Sequence, residues 1–201
     1  MRLHALPVAL AAALTFIAPA ALAHTVVYTA VMDGPSEAPP NASPGTGWAR
    51  VTVDLDLITM RVEASFSGLL GNTTAAHIHC CTAAANSGTA GVATMTPSFS
   101  GFPLGVTSGS MDTTYDMTLA SSYRGAFITA NGGTVGGAFN ALMLGLDNGK
   151  AYFNIHSSQF PGGEIRGFLA PVPEPSTYAL MALGLAGVGF IARRRRATLD
   201  A

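Results

Sequence analysis

Between residues 48 and 66 the side chains alternate with a period of two. Ala49, Val51, Val53 and Leu55 interleave with Trp48, Arg50, Thr52 and Asp54, and then Met60, Val62, Ala64 and Phe66 interleave with Arg61, Glu63 and Ser65. Successive side chains of a strand point to opposite faces, so each run describes a strand with one buried face. Only the residues around Asp56 to Thr59 separate the runs, and an antiparallel hairpin is the economical connection. Further strands are expected over Thr25 to Met32, Ala75 to His79, Val92 to Thr96, Met117 to Ala120, Lys150 to His156 and Glu164 to Leu169. Gly34-Pro35, Pro39-Pro40, Pro44-Gly45, Gly71-Asn72, Gly132-Gly133, Asn148-Gly149 and Pro161-Gly162-Gly163 read as the turns between them. Phe139, Leu142, Met143 and Leu146 instead recur at three- and four-residue intervals, which predicts a short helix ending near Asp147 to Gly149. The expected fold is mainly β: an antiparallel β-sandwich, Greek-key-like, with one or two short helices.

Both ends of the chain read as delivery signals. Arg2 and His4 precede an apolar stretch from Ala5 to Ala21, and Ala21-Leu22-Ala23 satisfies the small-x-small rule of signal peptidase. Residues 1–23 are therefore expected to leave as a signal peptide, with His24 as the first mature residue. At the other end Val172-Pro173-Glu174-Pro175-Ser176 precedes an uncharged run over 178–192 and the basic stop Arg193, Arg194, Arg195 and Arg196. The run is expected to be a transmembrane helix, although its 15 residues reach only about 22 Å against a hydrocarbon core of roughly 30 Å. The arginines would stay on the cytoplasmic side, placing residues 24–170 outside.

Residues 24–170 are expected to form one domain, long enough for a single core. It carries five basic and nine acidic residues, a formal net charge of −4, which argues against a nucleic-acid partner. Four of the ten basic residues of the whole chain sit in the tail, so the overall charge of −1 does not describe the domain.

The chemistry is expected where histidines stand within strands. His77 and His79 share one strand face while Ile78 takes the other. His156 shares a face with Asn154 and Tyr152, opposite Phe153 and Ile155. If these strands are neighbours, the three imidazoles converge on one ion, and neutral imidazoles suit copper and zinc. Glu164 is an available carboxylate, expected to accept a hydrogen bond from His156 with Asn154 as a further support, while Arg166 binds a carboxylate on a neighbouring strand. Cys80 and Cys81 are the only cysteines, in an exported chain. They close a vicinal disulfide, bridge to another molecule, or act as thiolate ligands beside His79. A mature N-terminal His24 can chelate copper but has no second histidine fixed beside it. No Gly-x-Ser-x-Gly elbow, His-Glu-x-x-His helix or phosphate-binding Gly-Lys-Ser/Thr loop occurs, and Asp54 and Asp56 border a turn that they solvate.

Ala75-Ala76-His77-Ile78-His79, Ala151 to Ser157 and Phe160 to Leu169 resemble the CHRD (chordin-type) domain, and Glu37-Ala38-Pro39-Pro40 resembles its beginning. The resemblance covers most of the chain from Val27 to Leu169 and implies an extracellular binding or structural role. Cys80-Cys81 departs from it, since the family more often has Gly-Pro or similar after the second histidine. Val172 to Thr177, the apolar run and the four arginines are similar to the PEP-CTERM sorting signal of Gram-negative bacteria. That similarity implies an exosortase-type membrane protease as partner and delivery to the cell surface, outer membrane or medium, where exopolysaccharide or matrix proteins are candidate partners. The alternative function is a copper or zinc protein using His77, His79 and His156, with a redox enzyme of the copper-zinc superoxide dismutase kind as a fold-level analogy.

Overall fold

Alternation becomes strand in the computed structural model, which describes residues 24–173 and 181–188. The strands are β1 (Thr25–Asp33), β2 (Thr46–Asp54), β3 (Thr59–Ser67), β4 (Thr73–His79), β5 (Gly109–Asp116), β6 (Tyr152–Ser157), β7 (Ile165–Phe168) and β8 (Ala170–Pro171). They join in one antiparallel sheet of order β4-β6-β7-β1-β2-β3-β5, with β8 added to β1. The expected hairpin is β2–β3, in register from Thr46 opposite Ser67 to Asp54 opposite Thr59. Asp54 closes its turn by accepting from the Asp56 and Leu57 amides, the modest role expected of it.

The two-layer sandwich gives way to a single sheet curled into an open half-barrel. Inner faces of strands from both halves share one core, which includes Tyr28, Val51, Val62, Ile78, Phe153 and Ile165. The opposing apolar layer comes from a helix and from loop aromatics, so a second sheet has nothing to cover. α1 (Gly125–Ala130) and α2 (Val135–Asp147) follow β5, and α2 buries Ala138, Leu142 and Leu146. Thr134 caps α2 by accepting from the Gly137 amide, and the helix ends one residue before Asn148, as the periodicity predicts. Tyr28 of β1 donates its hydroxyl to Asp147 and ties the helix end to the sheet.

Two expected strands are absent. Val92 and Thr94 make isolated bridges only, and Met117 to Ala120 turns toward α1. Instead the 91–107 segment runs along the free edge of β4, where the amides of Ala93, Phe99 and Gly105 donate to carbonyls of Ile78, Ala76 and Thr73. It then enters β5, which the sequence hides because Met111 and Tyr115 are its only large apolar residues.

The transmembrane expectation for 178–192 is corrected. Among the described residues no helix is long and apolar enough to cross a membrane, and the helix found in that region covers 181–188. The signal peptide, Glu174, Pro175 and Arg193 to Arg196 lie outside the described residues.

Candidate metal centre

β4 and β6 are hydrogen-bonded neighbours, with His77 opposite Asn154, His79 opposite Tyr152 and Ala75 opposite His156. Because Ile78, Phe153 and Ile155 are buried in the core, period-two alternation turns His77, His79 and His156 together onto the other face. Their ring centroids are 5.3–5.8 Å apart, and one nitrogen from each ring lies within 4.8 Å of the others. Bonds of about 2.0–2.1 Å would require the widest pair to close to about 4.2 Å or less, a small adjustment for side-chain rotation.

Loops fold over this polar face and decide which nitrogen of each ring is free. His77 Nε2 lies 2.6 Å from the Pro97 carbonyl, His79 Nδ1 2.9 Å from that of Ala90, and His156 Nδ1 2.9 Å from that of Pro161. A carbonyl oxygen only accepts, so each of these nitrogens carries the proton. The lone pairs then reside on His77 Nδ1, His79 Nε2 and His156 Nε2, and these are the buried nitrogens without a hydrogen-bond partner. Carbonyls that fix the tautomer of a histidine while leaving its other nitrogen free are the usual outer support of a metal site. Burial lowers the pKa of all three imidazoles, that of His79 to about 4, so the rings are neutral and able to ligate at pH 7.

Tyr152 and Arg166 hold His79 in place. The Tyr152 ring stacks on His79 at 4.8 Å and 7°, and the Arg166 guanidinium lies 4.8 Å from the other end of this stack, over Tyr152. Arg166 pairs with Asn154 from β7 and donates to the Ser36 and Gly88 carbonyls. Its acidic neighbour is Glu37, 3.8 Å away, whose Oε1 accepts from Asn154 Nδ2 at 3.0 Å. The expected carboxylate for Arg166 exists, but it comes from a loop and not from a strand. Burial pushes the Glu37 carboxyl up to about 7 against the opposing pull of Arg166 and Asn154. Sequence reasoning missed its place here, because an acidic residue between turn-forming prolines reads as solvated. Only the register Asp33 opposite Arg166 brings that loop over β7.

Glu164 does not support His156. It is fully buried and accepts from the Ser43 hydroxyl and from the Leu70 and Gly71 amides, while His156 is bonded to Pro161. The Glu164 residue precedes β7, so its side chain is released from strand alternation and turns toward the β3–β4 connection. Cys80 and Cys81 are disulfide-bonded to each other and pack on α2 at Gly145, where an added Cβ would lie 2.2 Å from Cys80 Sγ. They supply no thiolate to the cluster. His24 contacts Asp56 at the surface, apart from the three histidines.

Opposite shifts on one face give an unusual pH response. A buried histidine with a lowered pKa adds stability as pH rises, between its folded value and its ordinary value near 6.5. A carboxyl with a raised pKa removes stability as pH rises, between about 4.5 and about 7. His79 and Glu37 act on stability with opposite signs over these windows. In metal-free protein the stability that the three histidines add as pH rises from 4.5 to 6.5 is therefore opposed in the wild type by Glu37, and Tm should climb more steeply with pH in E37Q than in the wild type. Parallel curves for the two proteins in scanning calorimetry would contradict the assignment.

Comparison with known families gives two matches. Residues 171–196 match the PEP-CTERM protein-sorting motif, a signal for export and processing toward the cell surface by exosortase machinery. No curated protein and no solved structure matches the chain. The CHRD domain model matches residues 28–169, a span that includes the sheet from Tyr28 to Phe168 with all three clustered histidines, and the chain belongs to the CHRD domain family.

Proposed function

We propose that the chain is a surface-delivered metal-binding module that holds one copper or zinc ion on His77, His79 and His156. The observation that carries this reading is the convergence of three neutral, buried nitrogen lone pairs whose ring partners are fixed by backbone carbonyls. Leaving such nitrogens unpaired costs roughly 1–3 kcal/mol each, and an ion recovers that cost. Their near-complete burial favours a retained ion over a centre that binds and turns over a substrate, which needs an open coordination position. Mass spectrometry for metals on protein purified from the periplasm without an affinity tag should find about one equivalent of copper or zinc. Metal-free protein that also fails to take up either ion on dialysis would rule the reading out.

A second reading is adhesion to exopolysaccharide or matrix proteins. It is favoured by Val31 and Trp48, which pair across β1 and β2 and are 77 % and 47 % exposed on the outer face of the sheet.

A further inference from the structure

Four buried side-chain atoms among the described residues have no hydrogen-bond partner. Three are the free imidazole nitrogens, and the fourth is Oδ1 of Asn154, a residue 2 % exposed. Its place in the sheet is next to the other three. Asn154 lies directly across from His77 in the β4–β6 register and two residues from His156 on the same strand face. By alternation its side chain shares the polar face with theirs.

The amide is oriented. Nδ2 donates to Glu37 Oε1, and Glu37 in turn meets Arg166, which flanks Asn154 on the β7 side. With the nitrogen committed to Glu37, the oxygen is the amide atom left without a partner. Gly163 packs against both ends of the group: a Cβ built there would come within 2.7 Å of Nδ2 and of Oδ1. The close approach of this backbone holds the amide against rotation, and a side chain at 163 would displace it.

We infer that Asn154 Oδ1 is the fourth donor of the site, completing a three-nitrogen, one-oxygen set for a divalent ion. This rests on the three-histidine reading and narrows it. An amide oxygen is a hard neutral donor, which suits zinc(II) or copper(II) and disfavours cuprous ion, whose preference is for sulfur. It also accounts for a buried acceptor that the fold orients and otherwise leaves without a donor.

Cobalt(II) is the probe, because its visible absorption reports the number and type of its ligands. The full-length chain is titrated with cobalt(II) as wild type, N154A, N154D and H77A. Wild type should give the intense visible bands of a four-coordinate ion. N154A should shift those bands and weaken binding about tenfold or more, N154D should restore four-coordination with a carboxylate, and H77A should lose the bands. Circular dichroism checks the fold of each variant. If N154A does not fold, the comparison passes to N154D, whose spectrum must differ from wild type if position 154 ligates the ion. Wild-type bands and affinity retained in both N154A and N154D, or in N154D alone where N154A is unfolded, would remove Asn154 from the site and leave the three histidines. A wild-type chain that binds no cobalt, zinc or copper would overturn both inferences.

Discussion

Zinc or copper at a hundredfold excess over its dissociation constant should stabilise the wild-type domain by roughly 2.7 kcal/mol, and H79A or H156A should abolish that gain. For a domain of this size the difference is roughly 5–10 °C in Tm. The His79 substitution should have a second effect. Without added metal H79A removes an unpaired buried nitrogen but also the ring that Tyr152 stacks on, so the metal-free Tm should change less than the metal response does. Differential scanning fluorimetry with and without chelator separates the two quantities. Equal metal-dependent shifts in wild type and both variants would place any bound ion elsewhere on the chain.

E164A should be the most destabilising single change outside the hydrophobic core. It leaves the Leu70 and Gly71 amides and the Ser43 hydroxyl without their acceptor around a fully buried side chain, at a cost of about 3–5 kcal/mol. That is a large part of the 5–15 kcal/mol typical of whole domains. Burial raises the Glu164 carboxyl, but hydrogen bonds from Ser157, Ser43, Leu70 and Gly71 outweigh it and hold the pKa below the ordinary range. Its contribution is therefore present above the usual carboxylate pKa and lost as pH falls below it. E164Q should lose part of the stability by urea denaturation, yet leave the NMR titration of His156 where it was, because His156 is bonded to Pro161 and not to Glu164. A displaced His156 titration in E164Q would restore the coupling that the geometry denies.

Much of the site was legible because it obeys a simple periodicity. Once Ile78, Phe153 and Ile155 must be buried, His77, His79 and His156 have one face left, and adjacency of β4 and β6 does the rest. What escaped the sequence lies where alternation stops. Glu164 stands just before β7, so the expected strand over Glu164 to Leu169 assigned it the wrong surroundings. Glu37 reaches Asn154 through a proline-rich loop, and no local pattern encodes a contact between residues so distant in the chain. The sandwich failed for a related reason. Alternation shows that each strand has a buried face, but not whether that face meets another sheet, and here α2, Phe99 and Phe102 occupy the space. β5 was missed because six of its eight residues are polar or glycine, so its alternation carries little hydrophobic contrast.

The last strand has a consequence for how the molecule stands. β8 lies on β1 at Tyr28 and Thr29, and the Val172 amide still donates to the Val27 carbonyl, one residue before Pro173 of the sorting motif. Since β1 runs from Thr25 to Asp33 and β7 meets it at Asp33, the chain travels toward the Thr25 pole as it leaves the sheet. His24 lies at that same pole, whereas Glu37 and the loop over Arg166 follow from the Asp33 pole. The chain thus leaves the sheet for the sorting signal at the Thr25 end, which makes that end the one nearest the signal in sequence and in space and the Asp33 end, with Glu37 and its loop, the far one.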